Sequence, residues 1–244
     1  MKNIEVCLTP ALIDLYGVEN KVVVVVDILR ATSCMTTGLA HGVKSIIPVA
    51  GLEECRSLRN KGFIAAAERD GKMADGFDLG NSPFSYMDKS LVGKSVAMTT
   101  TNGTQAISKS GKAAEIIIGS FLNKTAVINY LLKQPNDILV LCAGWKGQVN
   151  LEDTLFAGAL VEGMGKEFAS ENDSAMTAYT LYQAAKGDLS KFLSNSSHVC
   201  RLRKLNIIKD IEFCLQSDIY NIIPVLKKGE LVKMEKNLES IAVK

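Results

Sequence analysis

VVVVVDILRATS, residues 22–33, decides the fold. Five consecutive valines form a β-branched run with no polar alternation, which reads as a strand buried on both faces at the centre of a parallel sheet. The run ends in Asp27, Arg30 and small hydroxyl residues, and a helix is expected to begin near Thr32. In open α/β sheets the ligand crevice lies beyond the carboxyl ends of the strands, so Asp27 and Arg30 are expected at its mouth. There a carboxylate would hold a cation, while a guanidinium and free helix-start N–H groups would bind an oxyanion. A helix-capping aspartate with a surface ion pair is the plainer alternative.

Outward from this strand, apolar β-rich segments recur at 45–49, 63–67, 95–99, 115–118 and 138–142, with helical spacing at 52–60 and 123–133 between them. The alternation predicts an α/β fold, a mainly parallel sheet flanked by helices in α/β/α layers. From Leu151 the pattern turns helical, over 151–168, 173–186 and 207–215, and IIPVLKKGELVKM resembles a short hairpin. The expected division is a catalytic core over 1–187 and a smaller helical part ending in the hairpin, 188–244, packed on that core.

Three further strand-end loops carry polar residues. Residues 68–86, ERDGKMADGFDLGNSPFSY, form the longest, and long loops in compact domains tend to be functional. Glu68 and Arg69 are expected on the same sheet edge as Asp27 and Arg30. Asp75 and Asp78 read first as turn-forming acids beside glycine. MTTTNGTQA, residues 98–106, has the makings of an anion cradle, but it lacks the GK[ST] ending of a nucleotide P-loop. In CAGWKGQVNLEDTLFAGAL, residues 142–160, acids open a helix, where they offset its dipole. Asp153 would there complete a carboxylate set with Asp27 and Glu68, and hard oxygen ligands point to Mg2+ rather than zinc. Trp145 and Lys146 would cover a substrate or anchor the loop.

Composition excludes other classes. The chain has 244 residues, 47% of them hydrophobic, and a net charge of +2 with basic residues scattered. That leaves no electrostatic footprint for nucleic acid and implies a small-molecule partner. No apolar stretch is long enough for a membrane span or a signal peptide, so a cytoplasmic protein is expected. The six cysteines show no CxxC spacing, and His41 and His198 stand isolated. Familiar phosphatase chemistries also fail. Cys142 is followed six positions on by Gln148, Asp27 two positions on by Leu29, and no Arg-His-Gly occurs.

The segments VVVVVDILRATS, AAERDGKMADGFDLGNSP, MTTTNGTQA and CAGWKGQVNLEDTLFAGAL, continuing into IEFCLQSDIYNIIPVL, resemble in order the motifs of the 2-phosphosulfolactate phosphatase family. The resemblance implies a Mg2+-dependent phosphatase of α/β type acting on a small anionic phosphorylated substrate, 2-phosphosulfolactate, in coenzyme M biosynthesis. It implies that DILRATS, ERDG, GNSP and TTTNGT line the active site. Asp27 and Arg30 would then be catalytic. Asp27, Glu68 and Asp153 would hold the metal. Arg30, Thr32, Ser33, Arg69, Asn81, Ser82, Thr101, Asn102, Gly103 and Thr104 would bind substrate. Covalent attack by Asp27 and direct attack by water both remain open at this point. The rivals are an isochorismatase-like hydrolase using Asp27, Lys94 and Cys142, and a non-catalytic anion-binding protein. An apolar helix face in the C-terminal third would support a homodimer.

Overall fold

In the computed structural model, which describes residues 2–165, 168–169 and 172–235, the valine run is strand β2, Val22–Val26, and all five valines are buried. The other strands are β1 Lys2–Cys7, β3 Ser45–Pro48, β4 Ile64–Arg69, β5 Lys72–Met73, β6 Ser95–Thr99, β7 Glu115–Gly119, β8 Ile138–Cys142, β9 Phe168–Ala169, β10 Pro224–Lys227 and β11 Glu230–Lys233. The helices are α1 Ala31–Ala40, α2 Leu52–Arg59, α3 Gly103–Lys109, α4 Lys124–Leu131, α5 Leu151–Met164, α6 Asp173–Ala185, α7 Leu189–Phe192, α8 Ser197–Lys204 and α9 Ile208–Cys214. The α/β class and the central place of β2 are as expected. The helix expected over 151–168 stops at Met164, where Gly165 takes φ +54°, and Phe168–Ala169 pairs instead with β1 at the sheet edge.

The strands form one sheet in the order β5-β4-β6-β3-β11-β10-β7-β2-β8-β1-β9. Two parallel blocks are joined by the C-terminal hairpin, which pairs antiparallel to β7 through Val225 and Ile117 and to β3 through Leu231 and Ile46. Three successive antiparallel pairings reverse the strand sense between the blocks. In a flat sheet the carboxyl ends of β2 and β4 would therefore lie on opposite edges, which corrects the expectation of a shared one.

The core shows how the blocks nevertheless meet. Val23, Val25, Ile118 and Leu141 from one block share a single cluster with Ile46, Ala66, Val96 and Met98 from the other, and Cys34, Met35 and Leu39 of α1 lie in the same cluster. Helix α1 is buried from Ala31 through Leu39, the pattern of a helix enclosed on every side. The sheet is folded about α1. The outward face of the β2 block packs Val24, Ile117 and Val140 against Phe156 and Leu160 of α5, and the β4 block packs Ala65 and Ala97 against Cys55 of α2. Folding the sheet about α1 brings the ends of β2 and β4 to one cavity, and α8 and α9 close over it.

Candidate active site

The turn after β2 is held by its own polar groups. The Asp27 N–H donates to Thr32 Oγ1 at 3.1 Å, Thr32 N–H donates to the Asp27 carbonyl at 3.0 Å, and Ser33 Oγ donates to the Ile28 carbonyl at 2.9 Å. Thr32 and Ser33, expected to contact substrate, are wholly buried, and their hydroxyls bond to the backbone of the turn. Asp153, expected as a metal ligand, is likewise buried. Its Oδ1 accepts from the Ile28 N–H at 2.9 Å and its Oδ2 from the Gly144 N–H at 3.1 Å, so it clamps two loops and lies off the cavity wall.

Asp27 itself lines the cavity with Glu68. Burial pushes the Asp27 carboxyl up to about 6; His198 pulls it down, Glu68 pushes it up, and the Ala31 N–H at the start of α1 lowers it again. Gly103 admits this packing, since a Cβ there would stand 3.0 Å from Asp27 Oδ2 and 2.9 Å from Ala31 Cβ. Glu68 accepts from the Gly71 N–H, and Thr101 Oγ1 donates to its Oε2 at 3.5 Å. Asn81, also on the wall, is 8% exposed, and its buried Oδ1 has no partner.

The long loop is strapped down. Asp78 accepts from the Ala65 N–H at 2.9 Å and from Arg59 at 2.7 Å, which bears out its reading as a turn residue. The Tyr86 hydroxyl donates to the Gly80 carbonyl at 3.1 Å. These ties hold Asn81 over the cavity.

Arg30 lines the cavity, with Nη1 paired to Asp210 of α9 and Nη2 donating to the Gly71 carbonyl at 2.8 Å. Ser82 Oγ donates to the other oxygen of Asp210 at 3.1 Å. Asp210, which sequence reasoning missed, thus orients Arg30, and Ser82 serves that orientation. Arg69 turns away from the cavity, donating to the Glu68 carbonyl at 2.6 Å and to Thr99 Oγ1 at 3.3 Å. Thr104 bonds back to Thr100, its Oγ1 donating to the Thr100 carbonyl at 2.9 Å. Thr101 and Asn102 remain on the wall, and Asn102 Oδ1 accepts from the Lys146 N–H at 3.2 Å.

Helix α8 closes the far side. Ser196 caps it, accepting from the Val199 N–H at 3.2 Å, and His198 and Arg201, three apart on one face, both line the cavity. His198 Nδ1 pairs with Glu152 Oε1, and the Arg201 guanidinium lies 3.9 Å from the centre of the Trp145 ring. The histidine that looked isolated in sequence is paired across 46 residues.

The rival cysteine chemistry has no geometry here. Cys142 is wholly buried, and burial pushes its thiol well above the usual range, while Lys94 is exposed and off the cavity. As for metals, no three His, Cys, Asp or Glu side chains converge among the described residues. The cavity offers two carboxylates and the orphaned Asn81 oxygen, a hard-oxygen set of the kind that suits Mg2+ retaining several waters. No helix among the described residues is long and apolar enough to cross a membrane.

Comparison with known proteins adds an independent finding. The model of the 2-phosphosulpholactate phosphatase family matches residues 7–229. A probable 2-phosphosulfolactate phosphatase of Thermotoga petrophila is 40% identical over 218 residues, 89% of this chain and 94% of the relative. Proteins of the same description from Caldanaerobacter subterraneus subsp. tengcongensis and Thermotoga maritima are 40% and 39% identical, covering 86% and 89% of this chain and 90% and 94% of their own.

Proposed function

This chain belongs to the 2-phosphosulpholactate phosphatase family, and on that premise we propose that its cavity hydrolyses 2-phosphosulfolactate, or a related 2-hydroxy acid phosphate, to the hydroxy acid and phosphate. The observation that carries the reading is the cavity wall, where two buried carboxylates, Asp27 and Glu68, stand with two guanidinium groups, Arg30 and Arg201. A phosphoryl group flanked by further acid groups needs both kinds of partner, a cation site and planar N–H donors.

Asp27 and Glu68 would hold Mg2+ with Asn81 Oδ1, and the bound ion would supply Lewis-acid polarisation of the phosphoryl oxygens. Arg30, pre-oriented by Asp210 and the Gly71 carbonyl, keeps N–H donors for charge that develops on the transferring oxygens. Arg201, held over the Trp145 ring, serves the carboxylate or sulfonate end of the substrate. Thr101 and Asn102 add polar contacts at the rim. Asp153 and Ser82 act one step back, holding the loops and Asp210. With sulfolactate as product, the reaction falls in coenzyme M biosynthesis, and a cytoplasmic location suits a phosphorylated metabolite. The apolar face offered by Met176 and Tyr179 of α6, both exposed, is where a homodimer would form.

Steady-state phosphate release, followed during Mg2+ titration and then in excess EDTA, tests the reading. Saturable, EDTA-reversible activation is expected. Equal rates with and without the ion would remove Mg2+ from the account, and no release at all would remove the reaction.

A further inference from the structure

Glu152 is wholly buried in the first turn of α5, with one oxygen on His198 Nδ1 and the other, Oε2, without any partner. Nothing in the hydrolysis described above uses this pair. A buried carboxylate is costly to hold, and one with an orphaned oxygen is costlier still. We propose that His198 is the general acid that protonates the leaving oxygen of the substrate, and that Glu152 is the positioning residue that fixes its ring orientation and pairs with its positive charge. The inference rests on the hydrolysis reading.

A carboxylate only accepts, so the pairing with Glu152 places a proton on Nδ1; the acid is then the imidazolium, whose second proton sits on Nε2, the working atom. Among the described residues Nε2 has no hydrogen-bond partner, and the ring forms part of the cavity wall. Asp27 lines the same cavity and lies within electrostatic reach of the His198 ring. The Asn150 amide, 3.4 Å from Nδ1, and Leu202, also on the wall, complete the setting of the ring.

The chemistry calls for such a group. The leaving group of a 2-hydroxy acid phosphate is an alkoxide, which departs poorly unless it is protonated. As the ester P–O bond breaks, Nε2 gives its proton to the departing oxygen, and water forms the new P–O bond. The dihydrogen phosphate so formed returns one proton to Nε2. The sum is ester plus water to alcohol plus hydrogen phosphate, with His198 restored.

The test uses the full chain with Mg2+ on two esters, 2-phosphosulfolactate and p-nitrophenyl phosphate, whose leaving group needs no proton. His198→Asn is expected to lower kcat roughly 10²- to 10⁴-fold on the alkyl ester and less than about tenfold on the aryl ester, with KM little changed. Glu152→Gln should show the same asymmetry, weaker. Equal losses on both esters would make the pair a structural clamp and overturn the proposal, as would full activity of His198→Asn. Should that variant not fold by circular dichroism, the near-isosteric Glu152→Gln decides the matter by the same ratio. Should the aryl ester not be accepted, imidazole added to His198→Ala decides it, since restored alkyl-ester turnover supports the acid and no restoration refutes it. Wild-type protein inert on both esters would overturn the hydrolysis reading itself.

Discussion

At Asp27, function and stability are opposed. Its carboxyl titrates at about 6 in the folded protein against 3.8 as the ordinary value. Folding favours its neutral form, so its contribution to stability is best below pH 3.8 and is lost as pH rises through 6. Above that the charged group is carried at a cost on the order of 1–3 kcal/mol. Asp27→Asn is accordingly expected to abolish turnover while raising the thermal midpoint at pH 7.5, with the gain shrinking toward pH 4. Paired melts and assays at about those two pH values check it. A lower midpoint at pH 7.5 would mean that the carboxylate is paid for by contacts not described above. Arg201 supplies a second expectation. Arg201→Gln should raise KM about 10- to 100-fold, the worth of a charge-assisted hydrogen bond, with kcat within a few-fold. A loss confined to kcat would put Arg201 on the phosphoryl group instead.

Legibility at this scale followed chain distance. Asp27, Arg30 and Glu68 stand at strand ends and could be read from local pattern. Their partners Asp210, His198 and Arg201 lie 180, 171 and 133 residues from Arg30, Asp27 and Glu68 respectively, and no local signal joins them. The hydroxyls of Thr32, Ser33 and Thr104 are harder to read for a related reason. A hydroxyl near a helix start binds its own backbone as readily as a ligand, and here the backbone takes all three.

At the scale of elements, close approach between helices carries the architecture. Gly158 of α5 lies so near α6 that a Cβ would stand 2.0 Å from the Ala178 carbonyl oxygen and 2.8 Å from Tyr182 Cβ. Gly158→Ala is therefore expected to cost about 1–3 kcal/mol by forcing the two helices apart, read as a lower urea midpoint with the m-value unchanged. An unaltered midpoint would mean that the pair re-packs without strain. Strands β2 and β8 were legible to the residue because burial on both faces leaves a continuous apolar run. Strand β9 was not, being two residues on the sheet edge with no pattern of its own. Neither was α8, whose short, strongly basic run reads as a solvated face until its His198 and Arg201 are seen against the cavity.

For the whole molecule, the hairpin 224–233 is the join on which everything else depends. It links the two blocks through Val225 and Leu231, both buried, and keeps the sheet closed about α1. Leu231→Ala should thus cost about 2–5 kcal/mol and depress activity at temperatures where the fold is still populated, because the Asp27 and Glu68 walls belong to different blocks. A single cooperative melt is expected, and separate transitions for the two blocks would contradict the join. The hairpin was visible in sequence, but its insertion between β7 and β3 was not, since one bridge on each side leaves no pairing pattern to read. The central claim is that the closed cavity hydrolyses a phosphate ester by attack at phosphorus. Turnover of 2-phosphosulfolactate with Mg2+ in water enriched in oxygen-18, followed by phosphorus NMR, tests it most directly. Labelled phosphate with unlabelled hydroxy acid, absent in Asp27→Asn, is the result the account predicts, and label in the hydroxy acid, or no phosphate from folded wild-type protein, would contradict it.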